Sequence, residues 1–307
     1  MNLRVAHKRY VRFPWAGICL WTIVSIGVTS RQALAADTPV PGSNERTEIV
    51  IIGTLHGGHN KTQEYTTQHL KRIILDLKPA AVLQELPPTI VSKNGEGIPM
   101  ATITADGRVS RELVNPGSSS PELLVIDEAA RELGVREFPY DREGLNEFYR
   151  KSKYDERMAK LNASLMDRTQ QLTKDGPKSI EDKIYMLLMN AVIADARLKS
   201  ASPRVINSEA YDSVIRIKHA IFHDIIPTML AEDPGRKDLV AEFHFFRDEW
   251  QTRNGIMAEN IARIAAEFPG KRLVVTTGTE HRYMLRDLLA KRPSIDLKEF
   301  WEILSAN

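Results

Sequence analysis

The sequence predicts an α/β domain with a mainly parallel sheet, helices on its faces and a long helical insertion between the early and late strands. Three observations carry this. Glu48–Gly53 and Arg272–Thr277 are short apolar runs rich in β-branched residues, of the length and composition of buried strands. Between the first run and a similar one at Ala80–Gln84, Leu70, Ile73, Ile74 and Leu77 recur at helical spacing and stop before Pro79, the strand–helix–strand pattern of a parallel crossover. From about 143 to 268 the pattern is mostly helical, with breaks near Gly176-Pro177, Ser202-Pro203 and Asp233-Pro234-Gly235.

In chain order, residues 1–35 come first. Arg4, Lys8, Arg9 and Arg12 precede an apolar run from Phe13 to Val28, and Ala33-Leu34-Ala35 follows ahead of Ala36. A basic end, an apolar middle and a small-x-small site form a cleavable export signal, so the expectation is a periplasmic or secreted protein. The apolar run is shorter than the roughly 20 residues of a spanning helix and contains Pro14, so no membrane insertion is expected after cleavage. Cys19 is the only cysteine, which leaves the exported part without disulfides or thiol chemistry. Removing residues 1–35 takes away five basic residues and no acid, turning the formal charge of +2 into −3. Nucleic acid is therefore not an implied partner.

Residues 36–46 read as a turn-rich linker, and 47–307 as one domain. Within it, 89–120 interrupts the α/β rhythm: Asp106-Gly107 is a hairpin signal and Asn115–Pro121 a loop, together read as a flap. A helix at 122–133 and a strand at Val135–Pro139 resume the pattern. The insertion at about 143–268, the strand at Arg272–Thr277 and a helix to about Lys291 complete it.

In open parallel sheets, ligands collect beyond the carboxyl ends of the strands. There the predicted strands deliver Gly53-Thr54-Leu55-His56, Gln84-Glu85-Leu86, Pro139-Tyr140-Asp141 and Gly278-Thr279-Glu280-His281. The Gly-Thr-x-His pattern occurs twice, and a glycine at each strand end is expected to let the chain turn so that the imidazole faces back over the sheet edge. His56, Glu85 and His281 make a His₂Glu set suited to a divalent metal ion with an open position for water.

Together with Arg253-Asn254-x-x-Met257-Ala258-x-Asn260-Ile261, these segments resemble the TraB/GumN/Tiki superfamily, in the family's order and from about 47 to 290. The resemblance implies an erythromycin-esterase/ChaN-like fold and metal-dependent hydrolysis of a peptide, amide or ester. It implies His56, Glu85 and His281 as the central set, with Arg253 as a catalytic cation beside it rather than within it. The sequence departs from the family where Pro87 stands two residues after the acid, in place of an Asp, and where Arg282-Tyr283-Met284 follows the late histidine.

His59, Asp141 and Glu280 are secondary candidates for the metal or for proton transfer; Asp141 reads equally well as a helix cap. His219 and His223 share a helix face, but Ala220 stands where a zinc-protease helix has glutamate, so they read as packing residues. Phe243, Phe245, Phe246 and Trp250 read as core. The competing expectation is a ChaN-like periplasmic carrier of haem or another small molecule, using the same edge without turnover.

Overall fold

The computed structural model describes residues 45–87 and 121–305, together with two short strands at 102–103 and 109–110. The expected export signal at 1–35, most of the expected 36–46 linker and most of the expected 89–120 flap lie outside the described residues. No helix among the described residues is long and apolar enough to cross a membrane.

The domain begins with strand β1 (Thr47–Thr54), a 3₁₀-helical segment at His56–Lys61, helix α1 (Thr67–Leu77) and strand β2 (Ala81–Gln84). Strands β3 (Thr102–Ile103) and β4 (Val109–Ser110) pair antiparallel, Thr102 with Ser110 and Ile103 with Val109; the Asp106-Gly107 turn signal between them lies outside the described residues. Helix α2 (Glu122–Leu133) and strand β5 (Arg136–Pro139) follow. The helical insertion comprises α3 (Leu145–Ser152), α4 (Tyr154–Asp175), α5 (Ile180–Leu198), α6 (Pro203–Ile206), α7 (Glu209–Ala220), a π-helical turn at Ile221–Ile225, α8 (Ile226–Leu230) and α9 (Lys237–Ala265). Strand β6 (Arg272–Gly278), helix α10 (Thr279–Leu289), strand β7 (Ile295–Lys298) and helix α11 (Phe300–Ser305) close the domain.

The main sheet is five-stranded and all parallel, in the order β5-β2-β6-β1-β7. Alternate side chains of β1 serve opposite faces, as the period of a strand requires. Val50 and Ile52 pack with Leu70 and Ile74 of α1 and Val125 and Ala129 of α2, whereas Ile49 and Ile51 pack with Met257 and Ile261 of α9 and Leu285 and Leu289 of α10. Both faces are therefore covered by helices, which explains the uninterrupted apolar character of the strand. A third core inside the insertion joins Leu161, Leu165, Tyr185 and Leu188 to Phe243 and Phe246.

The edge strand β7 is absent from the sequence reading. It is four residues long, half-buried and charged at alternate positions, and it pairs only with β1, so it carries little of the apolar signal that marks β1 and β6.

Candidate functional site

The carboxyl ends of β1, β2, β5 and β6 bring His56, Glu85, Asp141 and the first turn of α10 to one edge of the sheet, and α9 crosses it with Arg253. Glu85 is the hub. Its Oε2 accepts hydrogen bonds from the Gly278 N–H at 2.7 Å and the Thr277 hydroxyl at 2.9 Å, and its Oε1 accepts from Arg253 Nη2 at 2.7 Å. Burial alone would raise the Glu85 carboxyl; the neighbouring His281, the charges of Arg253 and His56 and the Gly278 hydrogen bond outweigh it and hold the group well below the usual carboxylate range.

Arg253 lies within this set, contrary to the expectation that it stands beside it. Its Nε and Nη2 donate to the two oxygens of the buried Asp141 at 3.0 and 2.7 Å, a planar fork on a carboxylate, while Nη2 reaches Glu85 and Nη1 lies 3.2 Å from His281 Nε2. Asp141 is thus the anchor of Arg253.

His281 is held from the opposite side. Asn254, one residue after Arg253, donates Nδ2 to the Trp250 carbonyl at 2.7 Å, which turns its Oδ1 toward His281 Nδ1 at 2.8 Å. Nδ1 therefore carries the hydrogen, and the Nε2 lone pair faces Arg253 Nη1, with Glu85 Oε1 3.5 Å to the side. Trp250 stacks on the ring at 4.2 Å between centroids, and burial lowers the imidazole to about 3, keeping it neutral.

His56 forms the other wall. Its Nδ1 donates to Glu122 Oε1 at 2.6 Å. Burial works against its charged form, but the charge and hydrogen bond of Glu122, with the charge of Glu85, outweigh this and raise it to about 9. Its Nε2 points across the end of β6: a Cβ on Gly278 would lie 2.6 Å from that nitrogen, and 3.6 Å from Glu85 Oε2. His56 and Glu85 therefore flank the same glycine.

The glycines act differently from the sequence reading. Neither Gly53 nor Gly278 has a positive φ; the sharp turn falls on His56 itself, at φ 50°. What glycine supplies is space. Thr54 and Gly278 are partners in the β1–β6 register, so a side chain at 278 would meet the imidazole arriving from the neighbouring strand. At Gly53 a Cβ would crowd Thr279 and Arg282. A non-glycine residue held in the left-handed region costs on the order of 1–3 kcal/mol, and such positions cluster at functional sites. Gly278→Ala is accordingly expected to push the His56 ring away from Glu85 while the domain stays folded. Unchanged His56 imidazole ¹⁵N resonances in the variant would disprove the steric account.

The secondary candidates fall elsewhere. His59 is buried, its Nε2 accepting from the Leu55 N–H at 3.0 Å and its Nδ1 donating to the Tyr65 carbonyl at 2.8 Å, so both nitrogens are spent on its own turn. Glu280 bonds Lys218, Lys199 and His219, tying α10 to the insertion. His219 and His223 lie together on the α7 side, each within reach of Trp250.

The sequence predicts the start of α2 at 122 but does not mark Glu122 as part of the site. An acid in the first turn of a helix reads as a partner of the helix dipole; that this one turns to a histidine 66 residues earlier is a tertiary fact.

His56 Nε2, Glu85 and His281 Nε2 have the donor chemistry of a divalent metal site, and both rings are steadied through Nδ1 as metal-binding histidines usually are. As arranged, the set does not fit an ion. Arg253 bonds Glu85 and faces the His281 lone pair, and no cluster of three or more His, Asp or Glu among the described residues is spaced to hold a metal. A metal ion here requires Arg253 to release both groups. The arrangement combines a fixed cation, two oriented imidazoles and an ionised carboxylate, a combination that can polarise a carbonyl and move protons beside it. Comparisons of the chain with models of known protein families, with curated proteins and with solved structures found no match.

Proposed function

We propose that the chain is an exported hydrolase acting at the carbonyl of an ester, amide or peptide. One observation carries this reading: His56 and His281 are each held through Nδ1, by Glu122 and Asn254, so that both present Nε2 toward Glu85 and Arg253. In the reaction, the substrate carbonyl oxygen lies on the Arg253 guanidinium, which balances the negative charge that develops there. Water attacks the carbonyl carbon and gives a proton to Glu85. His56 donates its Nε2 proton to the leaving oxygen or nitrogen as the bond to carbon breaks, and recovers one from Glu85, so the site returns to its starting charge.

The TraB/GumN/Tiki resemblance and the erythromycin-esterase/ChaN-like form of the fold belong to the same proposal. A metal-dependent version of the reaction would use His56, Glu85 and His281 as ligands. It is favoured by the orientation of both rings and opposed by the position of Arg253.

The test is an assay of the purified protein on a panel of esters, amides and short peptides, with and without chelator, beside metal analysis. His56→Ala is expected to lower turnover by roughly 10²–10⁴-fold, the scale of a lost acid–base group. Glu122→Gln, which keeps a hydrogen-bond acceptor but removes the charge, is expected to cost less. Turnover that survives chelation supports the metal-free form; loss on chelation with recovery on adding a divalent ion supports the metal form. A Soret band with no turnover on any substrate, or full activity in His56→Ala, sinks the proposal.

A further inference from the structure

A second concavity shares only Trp250 with the site above. It is a half-open cleft of about 170 Å³ bounded by Trp250, His219, His223, Tyr283, Arg216 and Arg247, with Ala220 in its wall and Asp224 at its rim.

The cleft owes its wall to one residue. From Glu209 to Leu230 the helix would run unbroken, but Pro227 has no N–H for the carbonyl of His223, and its ring crowds that carbonyl. The chain relaxes into the π turn at Ile221–Ile225, where the Ile226 N–H bonds Ile221 five residues back. Such turns are rare and recur at functional sites. Here the turn carries His223 and Asp224 into the wall.

The lining is aromatic on one side and cationic on the other. His219 meets Trp250 edge-on at 4.7 Å, and His223 lies nearly parallel to the indole at 6.3 Å. His223 is buried, its Nδ1 has no hydrogen-bond partner, and burial with the charges of His219 and Arg247 holds it neutral. Arg216 donates to both oxygens of Asp287 and lies 4.9 Å over the Tyr283 ring, so it is occupied. Arg247 spends Nε and Nη2 on a single oxygen of the exposed Asp248, and its Nη1 bonds no protein group among the described residues. Asp224 opposes this charge, but it is exposed at the rim, where water screens it. The volume sets the ligand: an apolar cavity of about 150 Å³ takes a benzene ring. A space slightly larger, walled by an indole and two imidazoles and ending at a guanidinium edge, accommodates one six-membered ring with one small anionic substituent.

We propose that this cleft binds a single-ring aromatic carboxylate, its ring against Trp250 and its carboxylate on Arg247. The site is distinct from the hydrolytic edge, and binding is read without turnover, so its test is independent of the proposed reaction.

Benzoate titrated into the full chain, followed by calorimetry and by the Trp250 indole N–H resonance, is expected to saturate with a dissociation constant of about 1 mM or tighter. Cyclohexanecarboxylate, of equal charge and similar size, is expected to bind severalfold more weakly because it lacks the flat ring. Arg247→Gln is expected to weaken benzoate by about tenfold, the scale of a hydrogen bond to a charged group. Ala220→Phe fills the cleft and is expected to abolish binding; Arg247→Gln, at the rim, decides the matter if the larger substitution disturbs the helix. No saturable binding, equal affinity for the two acids, or benzoate affinity unchanged by Arg247→Gln overturns the proposal.

Discussion

Arg282→Met is expected to destabilise the domain by about 3–5 kcal/mol, the cost of breaking a buried ion pair by removing one partner. Arg282 is fully buried. Its Nε donates to the Ile51 carbonyl at 3.2 Å, Nη1 bonds Asp212 of α7, and Nη2 reaches Glu299 at 2.7 Å. One guanidinium thus joins β1, the helical insertion and the segment between β7 and α11. Without it, Asp212 keeps, among the described residues, only Arg286 Nε at 3.7 Å, and its Oδ1 already lacks a partner there. Burial raises the Asp212 carboxyl even against the pull of Arg282, so the acid gains little from being there by itself. Removing both members, Arg282→Met with Asp212→Leu, is expected to recover much of the loss, since a well-packed apolar pair can replace a buried ion pair. Urea unfolding of the single and double variants checks this. A loss below about 1 kcal/mol in Arg282→Met would show that the cluster is not a structural crosslink.

Arg253→Met is expected to lower turnover by about 10²–10³-fold, the scale of losing one oxyanion partner, provided the proposed chemistry holds. The same change takes the guanidinium from both oxygens of the buried Asp141 and leaves the Arg142 N–H, 2.6 Å from Oδ1, as the bond that remains to this carboxylate among the described residues, so some stability is lost as well. Arg253→Met with Asp141→Asn removes the stranded charge and separates the two effects: stability is expected to return and turnover is not. Arg253→Lys keeps the charge but not the fork that spans Asp141 and Glu85, and is expected to recover only part of the rate. Turnover within tenfold of the parent in Arg253→Met would remove Arg253 from the chemistry.

The parallel sheet was legible because β1, β2 and β6 are covered on both faces, and such strands must be apolar without interruption. The same logic led to the site, since His56, Glu85, Asp141 and His281 all follow strand ends in the sequence. Other features depend on three-dimensional proximity, and no local pattern announces them. Glu122 looks like an ordinary first-turn acid, and Asn254, although it belongs to the Arg253-Asn254 segment singled out in the sequence, does not show there that it holds a histidine. Arg282 looks like a surface charge on α10 until its partners from α7 and the 299 region are in place. The glycines were legible as important but misread in mechanism. Their value lies in the missing Cβ across a strand pairing, and that pairing joins residues more than 200 apart in the chain, as at Thr54 and Gly278.

The order β5-β2-β6-β1-β7 places the central strand among the last to emerge during synthesis. β1 and β2 never bond each other; each waits for β6 to slot between them. Until Arg272–Gly278 arrives, the nascent chain carries two apolar strands with open edges, and Glu85 lacks the Gly278 N–H that lies 193 residues ahead of it. Completion of the sheet and assembly of the site are therefore one late event of high contact order, the slow and aggregation-exposed step in the birth of this molecule.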